Sequence, residues 1–307
     1  MTQKTLEILR EEIDQIDDQI HDLIMARGRV VEHIGAVKRS QTPMIASPLL
    51  AVRPAREAAM FQRLLARHHG AFPAESLIHI WHELIGAFTQ LQNQFSISVV
   101  ARDNDPRDND NSLLDLARDQ FGTQTQLIAA ANEEEALHLM QDGKTKLAVI
   151  AFPQNDRAQR LLWDHLSEEN APKIMMALPF IPVLTADAPR AIVLSYASPA
   201  PSMSDHSLLI AKLQQGVAHS RLLDAVNDCL RVEFGGDRIA AKILSVAADQ
   251  RIMLRVNLFM DQTLTASLCQ QLPDMMDRLD YIGSYPAMDM DIVQQALGKK
   301  DISNERA

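Results

Sequence analysis

The sequence predicts a multidomain α and α/β protein: a helical first part, a short α/β unit and a closing module of two helices and four strands. Three observations predict it. The first 95 of the 307 residues place apolar side chains in steps of three and four, the period of a helix face. Between Phe95 and Tyr196, short apolar runs suited to strands alternate with helical stretches. From Ser207 onward the pattern reads strand, helix, strand, strand, helix, strand, which is the ferredoxin-like plan.

Leu6, Leu9, Ile13, Ile16, Ile20, Leu23, Ile24, Val31, Ile34 and Val37 predict one long helix from near residue 4 to near 38. Pro43, Pro48 and Pro54 mark the loop that ends it. A second helix is expected from about Pro54 to His69, stopped by Gly70, and a third from Pro73 to about Gln94. One helix much longer than its two neighbours lacks partner surface within the chain, so association with a second copy is expected. Strands are expected at 97–101, 126–131, 146–152, 174–178 and 192–196, with helices near 112–121, 133–141 and 157–167. The acidic run Asp103–Asp110 is similar to a calcium loop, but Arg107 occupies a ligand position and the required glycine is missing, so a solvated linker is expected. Pro199 and Pro201 among serines mark a second linker. In the closing module, strands are expected at 207–213, 240–247, 251–260 and 281–286, with helices at 218–230 and 264–279. These readings divide the chain into 1–95, 96–200, 203–292 and a tail, 293–307.

The formal net charge of −10 argues against wholesale nucleic-acid or bilayer binding. The acidity is uneven: residues 1–95 hold 10 Lys/Arg against 11 Asp/Glu, leaving −9 for the remainder. The first part is therefore the better place for an anion. Cys229 and Cys269 form neither a disulfide framework nor a metal spacing, and suit a reducing compartment. The amino-terminal stretch lacks the apolar core of a signal peptide and no apolar run reaches membrane-spanning length, so a cytoplasmic location is expected. His79 and His82, and the His68-His69 pair, have no third ligand at a metal spacing and are expected to be surface or capping residues.

Within the helical part, Arg10, Arg27, Lys38, the Arg56-Glu57 pair and Gln92 punctuate the apolar stripes. A charge there is costly unless it is paired or binds something. Several cations with one acid and one amide suggest a pocket for a small anion. On an ideal helix Lys38 lies within about 20° of Arg27 and ~16 Å along the axis, so their side chains can flank one ring-sized dianion. Arg10 lies ~25 Å from Arg27 and about 100° around the helix, out of reach of the same ligand. If all three serve one site, Arg10 comes from another copy of the chain.

The run Leu9-Arg10, Ala26-Arg27, Gly35–Lys38, Arg53–Ala58 and Ile80–Gln92 resembles the all-helical class of chorismate mutase over residues 5–95, in both spacings and identities. The resemblance implies an intertwined dimer that converts chorismate to prephenate without cofactor or metal. Arg27, Arg56 and the partner copy's Arg10 would bind the two carboxylates. Lys38 and Gln92 would donate to the ether oxygen, while Glu57 would accept the ring hydroxyl and help balance the cations. Phe88 falls at a substrate-carboxylate position where the family usually has a small or hydroxylated residue. The order of the remaining chain resembles a bifunctional relative in which a prephenate dehydratase and an ACT domain follow. Lys146–Asp156 is similar to a dehydratase strand and turn, and Tyr281–Pro286 to the closing ACT strand. The dehydratase Thr-Arg-Phe motif is missing at Arg190–Tyr196, and the regulatory Glu-Ser-Arg-Pro motif is replaced by Ser245–Gln250. The expected organisation is thus a three-helix mutase, a truncated dehydratase-like lobe and an ACT-like module without catalysis of their own. A bifunctional enzyme, or a non-catalytic sensing or partner-binding protein, are the alternatives.

Overall fold

A computed structural model of the chain describes residues 5–41, 50–101, 112–152, 160–168, 170–181, 189–235, 239–247 and 249–298. The acidic run 103–110, the turn at Pro153–Asn155 and the end of the tail lie outside the described residues.

Three helices open the fold: α1 (Leu6–Gln41), α2 (Pro54–Ala66) and α3 (Ala74–Gln92). Pro54 opens α2, where its missing N–H costs nothing, and Pro73 caps α3 in an extended conformation. The carboxy-terminal half of α1 packs against α3, with Arg27 over Trp81 and Phe88 and with Val31 and Gly35 buried, whereas its first half is largely exposed.

The α/β part follows as β1 (Ser96–Val100), α4 (Leu113–Phe121), β2 (Gln126–Ala130), α5 (Glu133–Gln141), β3 (Leu147–Ala151), α6 (Arg160–Leu166), β4 (Lys173–Leu178) and β5 (Ala191–Ser195). Ser112 and Asp115 form a capping box at the start of α4, and the Asn132 side chain caps α5. Then come β6 (Asp205–Leu213), α7 (His219–Phe234), β7 (Ala241–Val246), β8 (Arg251–Val256), α8 (Gln262–Gln271), β9 (Met276–Pro286) and α9 (Met290–Ala296).

The nine strands among the described residues belong to one sheet of order β2-β1-β3-β5-β4-β9-β6-β8-β7. Parallel β1, β2 and β3 form one end, and antiparallel β6, β7 and β8 the other. The two meet where β4 and β9 run parallel, with Ile174 opposite Gly283. A Cβ on Gly283 would come within 2.2 Å of the Ile174 carbonyl oxygen, so the seam closes only over a glycine. One apolar cluster spans this arrangement from α2 and α3 to the sheet, through Phe61, Ile78, Phe95, Phe121, Met176, Phe180 and Val293. Helix α9 rests on α2, joining the end of the described chain to the opening helices.

Two expectations are corrected. The helix expected at 264–279 ends at Gln271, and β9 begins at Met276 rather than Tyr281. Pro273 is responsible: it removes a helical donor and disfavours helical geometry at Leu272. His82 is not a surface or capping residue but lies in the core, its ring 4.7 Å from that of Phe61 and 6.5 Å from that of Phe180. Burial, with His79 nearby, pushes its imidazole down to about 4, so it is neutral.

Candidate functional site

The helical part brings Arg27, Lys38, Arg53, Arg56 and Gln92 into one cluster. Arg27 and Lys38 stand three turns apart on the same face of α1. Arg53 and Arg56 come from the start of α2, and Gln92 from the last turn of α3. The Lys38 Nζ donates to Gln92 Oε1 at 3.4 Å. Burial lowers the Lys38 pKa, and the positive charges of Arg53 and Arg56 add to the effect. Arg27 is lowered in the same way, first by burial and then by Arg56. These shifts are those of neighbouring cations that repel one another, a repulsion that an anion would relieve.

Two aromatic rings on α3 hold Arg27. Its guanidinium carbon lies 4.3 Å from the centroid of Phe88 and 5.7 Å from that of Trp81. Among the described residues, its buried Nη1 has no hydrogen-bond partner. A guanidinium fixed by stacking, with a buried donor to spare, is arranged to meet an acceptor that arrives with a ligand. Phe88 therefore contributes as the surface against which Arg27 is held.

Glu57 occupies a different environment. Its carboxylate is buried and accepts from the Arg53 backbone N–H at 3.4 Å and from Gln120 Nε2 at 3.2 Å. Burial pushes the carboxyl up to about 7, while the Arg53 N–H pulls it down. Its two hydrogen bonds thus come from the start of α2 and from α4. Arg10 stands exposed in the first half of α1, far from Arg27 along the same helix, so a single chain does not bring it to the pocket.

Sequence reasoning missed Arg53, Trp81 and Gln120. Arg53 precedes Arg56 by one turn, and Trp81 precedes Phe88 by seven residues, so helix spacing could have found both. No local signal pointed to Gln120, which lies 63 positions after Glu57 in another part of the chain.

Residues 9–93 match the family profile of chorismate mutase type II. The bifunctional chorismate mutase/prephenate dehydratase of Aquifex aeolicus (strain VF5) is 32% identical over 100 residues, which are 31% of this chain and 26% of that protein. The protein of the same name from Stutzerimonas stutzeri is 27% identical over 95 residues, again 31% of this chain and 26% of the relative. The chain thus spans about a quarter of the length of the curated relatives it matches. Among solved structures, prephenate dehydratase from Streptococcus mutans overlaps with a TM-score of 0.39 and 14% identity, covering 62% of this chain and 97% of that one. GqqA, described as a novel type of quorum quenching acylase, overlaps with a TM-score of 0.41 and 15% identity, covering 64% and 96%.

Proposed function

We propose that this protein is a chorismate mutase, rearranging chorismate to prephenate in phenylalanine and tyrosine biosynthesis. The observation that carries the reading is the cluster of Arg27, Lys38, Arg56 and Gln92 on the residues that match the mutase family. The rearrangement is pericyclic, so the protein need supply neither a nucleophile nor a proton shuttle. It has to hold a dianion in its folded reactive shape and stabilise negative charge growing on the ether oxygen. Arg27 and Arg56 hold the carboxylates, with Arg27 braced by Phe88 and Trp81. Lys38 and Gln92 lie within hydrogen-bonding reach of each other, close enough to serve one oxygen between them. Glu57 accepts the ring hydroxyl. Each ether-oxygen donor is worth about 2.7–4 kcal/mol of barrier by comparison with other oxyanion donors.

The working unit is a homodimer in the cytoplasm. Leu6, Ile13, Ile16, Ile20 and Leu23 are all about half exposed or more along the first half of α1. A second copy is the natural cover for that stripe, and would bring its own Arg10 to the pocket. The four closing strands form an ACT-like, ferredoxin-like module, supported by their order β9-β6-β8-β7 within the sheet. Residues 96–292 act as a non-catalytic extension that has lost dehydration.

Incubating the purified full chain with chorismate and identifying the products tests this. Prephenate alone is expected. Phenylpyruvate would support a bifunctional enzyme, and unchanged chorismate a non-catalytic binding protein.

A further inference from the structure

The setting of Glu57 is not built by the three opening helices alone. Glu57 directs one carboxylate oxygen toward α4, where the Gln120 amide donates to Oε2 at 3.2 Å. Both side chains are buried, at 8% and 4% exposure, so water cannot take over this hydrogen bond without the packing opening. Helix α4 is also fixed firmly enough to position a side chain. A Cβ on Gly86 would meet the Phe121 carbonyl oxygen at 2.2 Å, so α3 and α4 touch backbone to backbone. Glu83 on α3 accepts from the Thr123 N–H at 2.9 Å and the Thr123 hydroxyl at 2.6 Å. Gln90, two residues before Gln92, donates to Thr125 Oγ1 at 3.1 Å and to the Phe95 carbonyl at 3.0 Å.

We propose that Gln120, outside the mutase helices, is a positioning residue of the mutase site, orienting the Glu57 carboxylate to receive the ring hydroxyl of the substrate. This rests on the chorismate mutase reading. A buried carboxylate has lost its hydration, and a donor directed at one oxygen favours the charged form and fixes the plane of the group. The second oxygen receives the weaker, longer contact from the Arg53 N–H and remains the one to face a ligand. Gln120 Oε1 is buried with no partner among the described residues. A 180° turn of the amide would present that oxygen to a protonated Glu57, so the same residue can satisfy either state of the carboxyl. The α/β region thereby contributes to a reaction for which it supplies no group that touches substrate.

The test is Gln120→Met, which keeps length and burial but removes the donor. In the full chain, kcat/KM for chorismate is expected to fall about tenfold, the loss of a hydrogen bond to a charged group. The acid limb of its pH profile should move up by about one unit. Placed in a Glu57→Gln background, the same substitution should cost little more, because the two residues act as one unit. Carboxyl-carbon NMR of Glu57 gives a readout independent of catalysis, and its midpoint should move up with the acid limb. An unmoved profile and midpoint in a folded Gln120→Met protein would overturn the proposal, as would equal losses in both backgrounds. If the unsubstituted protein forms no prephenate, the mutase reading falls and Gln120's role in it falls too. The NMR midpoint would still report whether Gln120 holds Glu57.

Discussion

Glu57 is held where stability alone would favour an uncharged residue. Its carboxyl titrates near 7 in the folded chain against an ordinary value of 4.5, because burial opposes the charge. The folded state therefore binds more protons than the unfolded state between those two values. Stability falls as pH rises from about 4.5 to about 7 and is level above. Glu57→Gln should abolish that slope. Across the same window, the unfolding free energy of the variant should gain on that of the original protein by up to about 3 kcal/mol, read from denaturant titrations at pH 4.5 and 8. Chorismate turnover should drop in the same variant, the outcome expected if the acid serves function at the expense of stability. Arg27, Lys38 and Gln92 were legible as polar residues on apolar stripes, a pattern that costs free energy without a ligand. The setting of Glu57 was not legible, since its partner is on a helix that only the tertiary fold brings near.

At the scale of elements, α1 has two unlike halves. Leu6, Leu9, Ile13, Ile16, Ile20 and Leu23 repeat every seven residues and lie exposed, the pattern of a helix that packs on another helix. Beyond Ile24, the face carrying Val31 and Gly35 turns instead to α3. Most helices and strands were legible because their periods differ, 3.6 residues against 2. The end of α8 was misjudged because the apolar spacing around Met275, Met276 and Leu279 continues a helical pattern past Pro273, where the backbone cannot follow. The burial of His82 was missed because nothing in the sequence announces Phe180 as its neighbour. The α3–α4 contact makes a separate prediction. Gly86→Ala places a methyl group against the Phe121 carbonyl and must push the helices apart. It should lower the unfolding free energy by about 1–3 kcal/mol, measured by urea titration, although alanine normally favours a helix over glycine.

For the whole molecule, the three helices and the continuous sheet share one core, with Phe61 of α2 against Phe180 beyond β4 and α9 on α2. This packing gives the α/β part a structural role beside the opening helices. It holds α3 and α4 in the positions from which Gln92 and Gln120 reach the pocket. What it does not supply is Arg10, since Arg10 and Arg27 are separated along a continuous helix of 36 residues. A pocket that uses Arg10 therefore takes two copies of the chain.

The most direct measurement mixes purified Arg10→Ala and Arg27→Ala proteins, each nearly inactive, under conditions in which subunits exchange. A heterodimer would contain one pocket with both arginines intact and one with neither. Prephenate formation should recover to about a quarter of the unsubstituted rate when pairing is random. Full activity of Arg10→Ala alone, or no recovery after exchange has been demonstrated by labelled subunits, would contradict a site shared between two chains.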